Sequence, residues 1–143
     1  MAIFGREPDA FMTFIEHHGI PPVGAGASLS HMLYFQHDRP EIHARTHAYL
    51  EPMDFVIAQL TGVIGANQCT QFTALLCDNR TLGGTEYDPE LVRMSGVDPA
   101  TLPPLLSLTD AIGPLRPEIA ARLGIPTRAI VHAPINDSHA GAI

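Results

Sequence analysis

Arg128-Ala129-Ile130-Val131-His132-Ala133-Pro134-Ile135-Asn136-Asp137-Ser138-His139-Ala140-Gly141-Ala142-Ile143 is the stretch whose reading decides the rest. An apolar run with β-branched residues gives way to Asn-Asp-Ser and then to the small residues Ala-Gly-Ala. This is the pattern of a buried strand, a tight turn and the opening turn of a close-packed helix. Such a layout puts Asp137 at the carboxyl end of a strand, the edge at which open α/β sheets bind ligands. Two readings of Asp137 compete. Either it or Ser138 caps the helix by accepting a backbone N–H, the commoner reason for Asn, Asp or Ser at such a turn, or the carboxylate takes part in chemistry. On this stretch alone the capping reading leads.

Composition narrows the function classes. The chain has 143 residues, 45% of them hydrophobic and 16% charged, which is enough for one core. Its eight basic residues are all arginine and face fifteen acidic ones, for a formal charge of −7. With no basic run, neither nucleic acid nor an anionic membrane is an expected partner. The absence of lysine excludes a phosphate-loop lysine and a Schiff-base lysine from these residues. Gly24-Ala25-Gly26-Ala27-Ser28 is therefore read as a flexible loop leading to a helix cap at Ser28, not as a Walker A motif. Cys69 and Cys77 have no CxxC spacing and suit a reduced, cytoplasmic protein. Residues 1–8 lack the basic and apolar regions of a secretory signal, and no apolar run approaches the ~20 residues of a membrane span.

Read in order, the chain is a series of short helices punctuated by proline and glycine. Phe11, Met12, Phe14 and Ile15 lie at near-helical spacing in residues 8–18, with Pro8 at the start, and Gly19-Ile20-Pro21-Pro22 stops them. Residues 28–37 carry Leu29, Met32, Leu33 and Phe35. Pro40 opens residues 41–48, and Pro52 opens a helix that Gly62 closes. Residues 69–76 form an apolar segment of undecided type. Asp88 reads as an N-cap, with Pro89 in the first helical position and Gly96 after the last turn. Asp98-Pro99 repeats that opening. Residues 105–112 read as a strand turning at Gly113-Pro114, and residues 117–123 as a helix closed by Gly124.

Eight histidines raise a metal hypothesis. His43 and His47 are spaced i, i+4 on an expected helix, but no HExxH motif and no third ligand accompanies them, so no metal site is expected. His17 and His18 suit the negative end of a helix. A Ser-His-Asp hydrolase does not fit, since Gly-x-Ser-x-Gly is absent and Asp137, Ser138 and His139 are consecutive.

Several motifs in a shared order carry a resemblance over more than a hundred residues. They are Arg39-Pro40-Glu41-Ile42; Leu50-Glu51-Pro52-Met53-Asp54-Phe55 running to Leu60-Thr61-Gly62; Cys77-Asp78-Asn79-Arg80; Tyr87-Asp88-Pro89-Glu90-Leu91; Gly96-Val97-Asp98; Ile112-Gly113-Pro114-Leu115 with Pro117-Glu118; and Asn136-Asp137-Ser138-His139-Ala140-Gly141-Ala142. With these the chain resembles the middle of an FGGY-family carbohydrate kinase of the xylulokinase branch. The resemblance implies an α/β fold: a partial ribonuclease-H-like domain of the actin and hexokinase type, helix-rich with a few short strands. It implies that residues 1–143 are part of the N-terminal, sugar-binding domain, without the C-terminal domain that binds most of the ATP.

The family's catalytic base is the Asp of a Gly-Asp-Asn/Gln turn, which falls on Asp137, with Asn136, Asp137 and Ser138 as the implied sugar contacts. A sugar hydroxyl is a weak nucleophile, and an aspartate in hydrogen-bond reach can take its proton as a phosphoryl group arrives. With the resemblance added, the catalytic reading of Asp137 overtakes the capping one. The implied partners are a sugar or polyol, ATP and Mg²⁺; a homodimer is left open. The sequence departs from the family pattern at Asn136 (usually Gly), Ser138 (Asn or Gln), Asn67 (often Asp) and His31 (usually Lys), and lacks the opening Asp-x-Gly-Thr loop. The expected consequences are a chain that is inactive alone and an uncovered apolar face around Phe55, Ile57 and Leu60. The alternative is a catalytically inactive fragment, or a helical interaction module, that keeps the family's packing residues.

Overall fold

The computed structural model describes residues 9–141, in which α1 (Ala10–His17) and α2 (Ser28–Asp38) precede four helices that each begin on a proline. These are α3 (Pro40–His43), α4 (Pro52–Thr61), α5 (Pro89–Ser95) and α6 (Pro117–Leu123). Proline fits the first helical position because the N–H it lacks has no intrahelical partner there. Gly62, Gly96 and Gly124 end α4, α5 and α6 at φ of 86°, 72° and 65°, the left-handed conformation that glycine adopts without a Cβ penalty. The expected role of Pro8, and the residues before it, lie outside the described residues, as do Ala142 and Ile143.

Local signals are borne out most fully at α5. Asp88 Oδ1 accepts from the backbone N–H groups of Glu90 and Leu91 at 2.8 and 3.1 Å. Its other oxygen accepts from His17 Nδ1 at 2.7 Å, so one carboxylate both caps α5 and ties it to the end of α1. Asp98 repeats the cap for a 3₁₀ turn at Pro99–Thr101. Residues 70–74, undecided from sequence, form another 3₁₀ turn that ends on Leu75 in the left-handed region, at φ 61°.

The strands are short and form two separate ladders. β1 (Ala66–Asn67) pairs in parallel with β2 (Leu105–Leu106), and β3 (Ala111–Pro114) pairs antiparallel with β4 (Ile130–His132). Gly65, next to β1, lies so close to Leu106 that an added Cβ would stand 2.6 Å from Leu106 Cδ1. The main core gathers Phe14, Leu29, Met32, Leu75, Leu76, Leu91 and Val97 from α1, α2, the 3₁₀ segment and α5. A smaller cluster of Ala66, Cys77 and Leu105 lies under the parallel pair, and Tyr87 touches both.

Several sequence expectations need correction. The expected strand at 105–112 breaks at Ser107, where Asp110 accepts from the Ser107 N–H at 3.0 Å and a polar turn replaces the ladder. Gly113 and Pro114 then belong to β3 instead of turning. The last strand is not buried: Ile130 is 51% and Ile135 43% exposed, because β4 pairs only with β3 among the described residues. Ser28 does not cap α2; Ala27 holds the cap position and the Ser28 hydroxyl lies 2.9 Å from that of Thr73. The helix at Pro40 stops at His43, so His43 and His47 share no helical face. His43 instead bonds the Tyr49 hydroxyl and lies 3.3 Å from Asp98 Oδ2. His17 and His18 do lie at the end of α1, as expected, and His18 is also buried there against the Cys77 carbonyl.

Of the apolar face expected to be uncovered around Phe55, Ile57 and Leu60, only Phe55 is exposed, at 54%; Ile57 and Leu60 are half-buried, and Val56, beside Phe55, is 52% exposed. The opposite side of α4 holds Asp54, which is only 1% exposed. Its Oδ2 accepts a long 3.4 Å bond from Gln71, and Oδ1 has no partner among the described residues. Burial pushes its carboxyl from 3.8 up to about 6. The folded state therefore holds this proton more tightly than the unfolded chain does. The stabilisation is complete below pH 3.8 and lost as pH rises through about 6, up to roughly 3 kcal/mol at about 1.4 kcal/mol per unit. Asp54→Asn should raise the melting temperature at pH 7.5, with a gain that shrinks toward pH 4.5. Thermal melts at both pH values check this, and a pH-independent effect would count against the buried, strained carboxylate.

Candidate active site

The candidate site is assembled where β4 ends. Residues 133–136 lead from the strand into α7 (Asp137–Ala140), and Asn136 takes the cap position with φ −77° and ψ 154°. Its Oδ1 accepts from the backbone N–H groups of Ser138 at 2.9 Å and His139 at 3.3 Å. His139 Nδ1 also lies 3.1 Å from that oxygen, which can only accept, so Nδ1 carries the imidazole proton. Asn136 is 8% exposed.

The cap thus falls one residue earlier than either Asp137 or Ser138, which corrects the capping reading of the sequence. Asp137 occupies the first helical position and is exposed. Its Oδ1 accepts from the Ser138 N–H at 2.7 Å and meets the Ser138 hydroxyl at 3.4 Å. Its Oδ2 has no partner among the described residues, so the carboxylate keeps lone pairs free for an incoming donor. Ser138 is exposed beside it. The three expected site residues therefore lie together with different parts to play: a buried cap, an open carboxylate and an open hydroxyl.

The turn is braced by residues 67–72, with the Ala133 N–H bonded to the Asp110 carbonyl at 2.9 Å just before it, and sequence reasoning did not find this. Asn67 Nδ2 donates to the Pro134 carbonyl at 2.8 Å, Cys69 Sγ accepts from the Asn136 N–H at 3.3 Å, and the Phe72 ring meets His139 edge-on at 5.6 Å. These contacts span 67 positions in each case, a separation at which residue patterns carry no pairing signal. In the sequence, Asn67 stands out only as a departure from the family pattern, and His139 only as a member of the motif at 136–142 and of a triad that does not fit.

Other reactive groups are held away from chemistry. Burial pushes the Cys77 thiol up to about 12, so it is not a nucleophile at neutral pH. Asp78 is paired with Arg80 through two bonds of 2.9 and 2.8 Å, which hold its carboxyl down at about 2. Among the described residues no group of three or more His, Cys, Asp or Glu could hold a metal ion. Nor does the chain contain a lysine for a nucleotide phosphate. What the turn itself offers is an acceptor for a proton, the exposed Asp137 carboxylate.

Comparison with known proteins gives this arrangement a family. Residues 12–143 match the N-terminal domain model of the FGGY family of carbohydrate kinases. The xylulose kinase of Bacillus subtilis strain 168 is 30% identical over 118 residues, which is 82% of this chain and 23% of the relative. The ligand-bound xylulose kinase and the gluconate kinase of Lactobacillus acidophilus each superpose with a TM-score of 0.77 at 18% identity, over 94% of this chain and 27% of theirs. At that identity the two structures speak for the fold alone, and they carry two different sugar names on it. The chain spans about a quarter of the length of these proteins. The helix-rich architecture with a few short strands is that of the actin and hexokinase type expected from sequence. By the extent of the match and the order of its motifs, the chain belongs to the FGGY family of carbohydrate kinases, within that family's N-terminal domain.

Proposed function

We propose that residues 9–141 form the sugar side of an ATP-dependent carbohydrate kinase, with Asp137 as general base and Asn136 and Ser138 completing the contact with a pentulose such as xylulose. The observation that carries this reading is the division of labour at the turn. Asn136 Oδ1 accepts from the Ser138 and His139 N–H groups, Asp137 Oδ1 shares only the first, and the exposed carboxylate keeps its other oxygen unpartnered among the described residues. In the reaction, the acceptor hydroxyl gives its proton to Asp137 as its oxygen forms a bond to phosphorus, and the bond from phosphorus to the leaving phosphate oxygen of ATP breaks. Ser138 can donate to a neighbouring sugar oxygen. ATP is the second substrate, and the Mg²⁺ that accompanies it neutralises phosphate charge when bound. The residues described here hold neither.

The N-terminal-domain match and the share of the relatives covered support a domain assignment of residues 1–143 as part of the sugar-binding half. The two free cysteines suit the cytoplasm. Among the described residues no helix is long and apolar enough to cross a membrane.

The 143-residue chain alone should give no phosphorylation of xylulose by ATP above a blank, since the nucleotide site is not built from it. In a full-length kinase that carries these residues, Asp137→Asn should lower kcat by roughly 10²–10⁴ with a smaller effect on sugar KM. Asparagine keeps the size and turn chemistry of aspartate but cannot accept the proton. Steady-state kinetics with xylulose separates the readings. A variant that keeps more than about a tenth of wild-type kcat, short of the range expected for a general base, contradicts the assignment.

A further inference from the structure

The contacts that reach the Asp137 turn at Pro134, Asn136 and His139 come from one short run, residues 67–72, while just upstream the Ala133 N–H donates to the Asp110 carbonyl at 2.9 Å. Asn67, at the end of β1, reaches Pro134; Cys69 reaches Asn136; Phe72 reaches His139. Of the three, only the first is fixed in both partners. Asn67 is 1% exposed, and its Oδ1 accepts from the N–H groups of Cys69 and Thr70, each at 3.0 Å. Two donors on that atom identify it as the oxygen, so the atom facing the Pro134 carbonyl at 2.8 Å is the amide nitrogen. A carboxylate could serve the first two bonds as well as an amide does. It could not serve the third, because it would set one acceptor against another.

We infer that Asn67 is a positioning residue for the Asp137 carboxylate: its amide bonds the turn three residues upstream of the base, and only a side chain that both accepts and donates can hold it there. Physically, β1 is anchored in the parallel pair with β2, while β4 lies on an exposed ladder with Ile130 half-exposed, as is Ile135 beyond its end. The strand that carries the turn is thus the less secure of the two. The 2.8 Å bond to Pro134 transfers the rigidity of the buried segment to it, and the Cys69 bond to Asn136 N–H fixes the next point along. Positioning of this kind matters because a reacting group displaced by about 1 Å can lose about 10²-fold in rate. The inference rests on the kinase reading for its consequence, but its mechanical part does not.

The experiment is amide hydrogen exchange by NMR on the 143-residue chain, wild type against Asn67→Asp. The variant keeps an acceptor for Cys69 and Thr70, so the protection of those two amides should persist. The Asn136 amide should exchange at least about tenfold faster as the turn comes loose. Unchanged exchange at Asn136, or equal loss at all three amides, would overturn the inference, the latter because it marks a merely structural role. If the variant does not fold, wild type still decides: one Asn67 side-chain amide proton should be protected and show a cross-peak to Pro134 or Ile135, and exchange at the rate of a solvated amide would overturn the proposal.

In a full-length kinase carrying these residues, Asn67→Asp should lower kcat by about 10–100-fold with sugar KM changed by less than about threefold. An unchanged kcat alongside faster Asn136 exchange would overturn the catalytic consequence. Failure of the kinase reading itself is distinguishable, because it appears as turnover that survives Asp137→Asn while the exchange pattern in the isolated chain is as expected.

Discussion

A side-chain amide joins two parts of the chain that are 67 positions apart, and the geometry of the site depends on it. Asn67 accepts two backbone N–H groups of its own turn and donates to the Pro134 carbonyl at 2.8 Å. On one side of this bond lie the buried strand pair and the core of α1, α2 and α5. On the other lies a ladder whose last strand is open to solvent. The bond costs little in the folded state, since every polar atom of the Asn67 amide is used, and an unused one at this depth would cost about 1–3 kcal/mol. Without it, the stretch before Asp137 would keep the neighbouring Cys69 bond, an aromatic contact and the 2.9 Å bond from the Ala133 N–H to the Asp110 carbonyl.

The same economy appears one residue before the candidate base. Asn136 spends its oxygen on the amides that a short helix leaves unsatisfied, and by doing so it leaves the Asp137 carboxylate open. An aspartate that had to cap its own helix would present fewer lone pairs to a substrate. Capping and proton acceptance, which compete for one side chain in the linear reading, are divided here between adjacent residues. The chain's place in the FGGY family of carbohydrate kinases, reached through sequence and fold, and this division, reached through geometry, bear on the same residue.

What the sequence makes legible is local. Asp88, Pro89 and Gly96 bound α5 because each acts on backbone groups within three or four residues, and the structure places all three as expected. Pro52 with Gly62, and Pro117 with Gly124, are legible for the same reason. What fails is whatever depends on distant neighbours. The apolar character of residues 129–135 suggests burial, yet an apolar strand is buried only where something covers it, and β4, paired with β3 and touched by α4, leaves Ile130 exposed. Residues 105–112 alternate like one strand, but Asp110 folds back on Ser107 and splits them into two ladders. Asp137 was singled out as a base through the motifs it shares with a family, not through any property of the turn itself. The braces from Asn67, Cys69 and Phe72 left no trace in spacing or composition.

The account turns on cap and candidate base being different residues, and amide exchange at Ser138 and His139 measures this directly. Asn136→Ala should lower the protection of the His139 amide, which loses its 3.3 Å bond to Asn136 Oδ1 and keeps only the 3.1 Å bond to the Asn136 backbone carbonyl. Asp137→Ala should leave that protection in place. If protection at His139 survives the loss of Asn136 and disappears with Asp137, then Asp137 is the cap, and its availability for chemistry is contradicted.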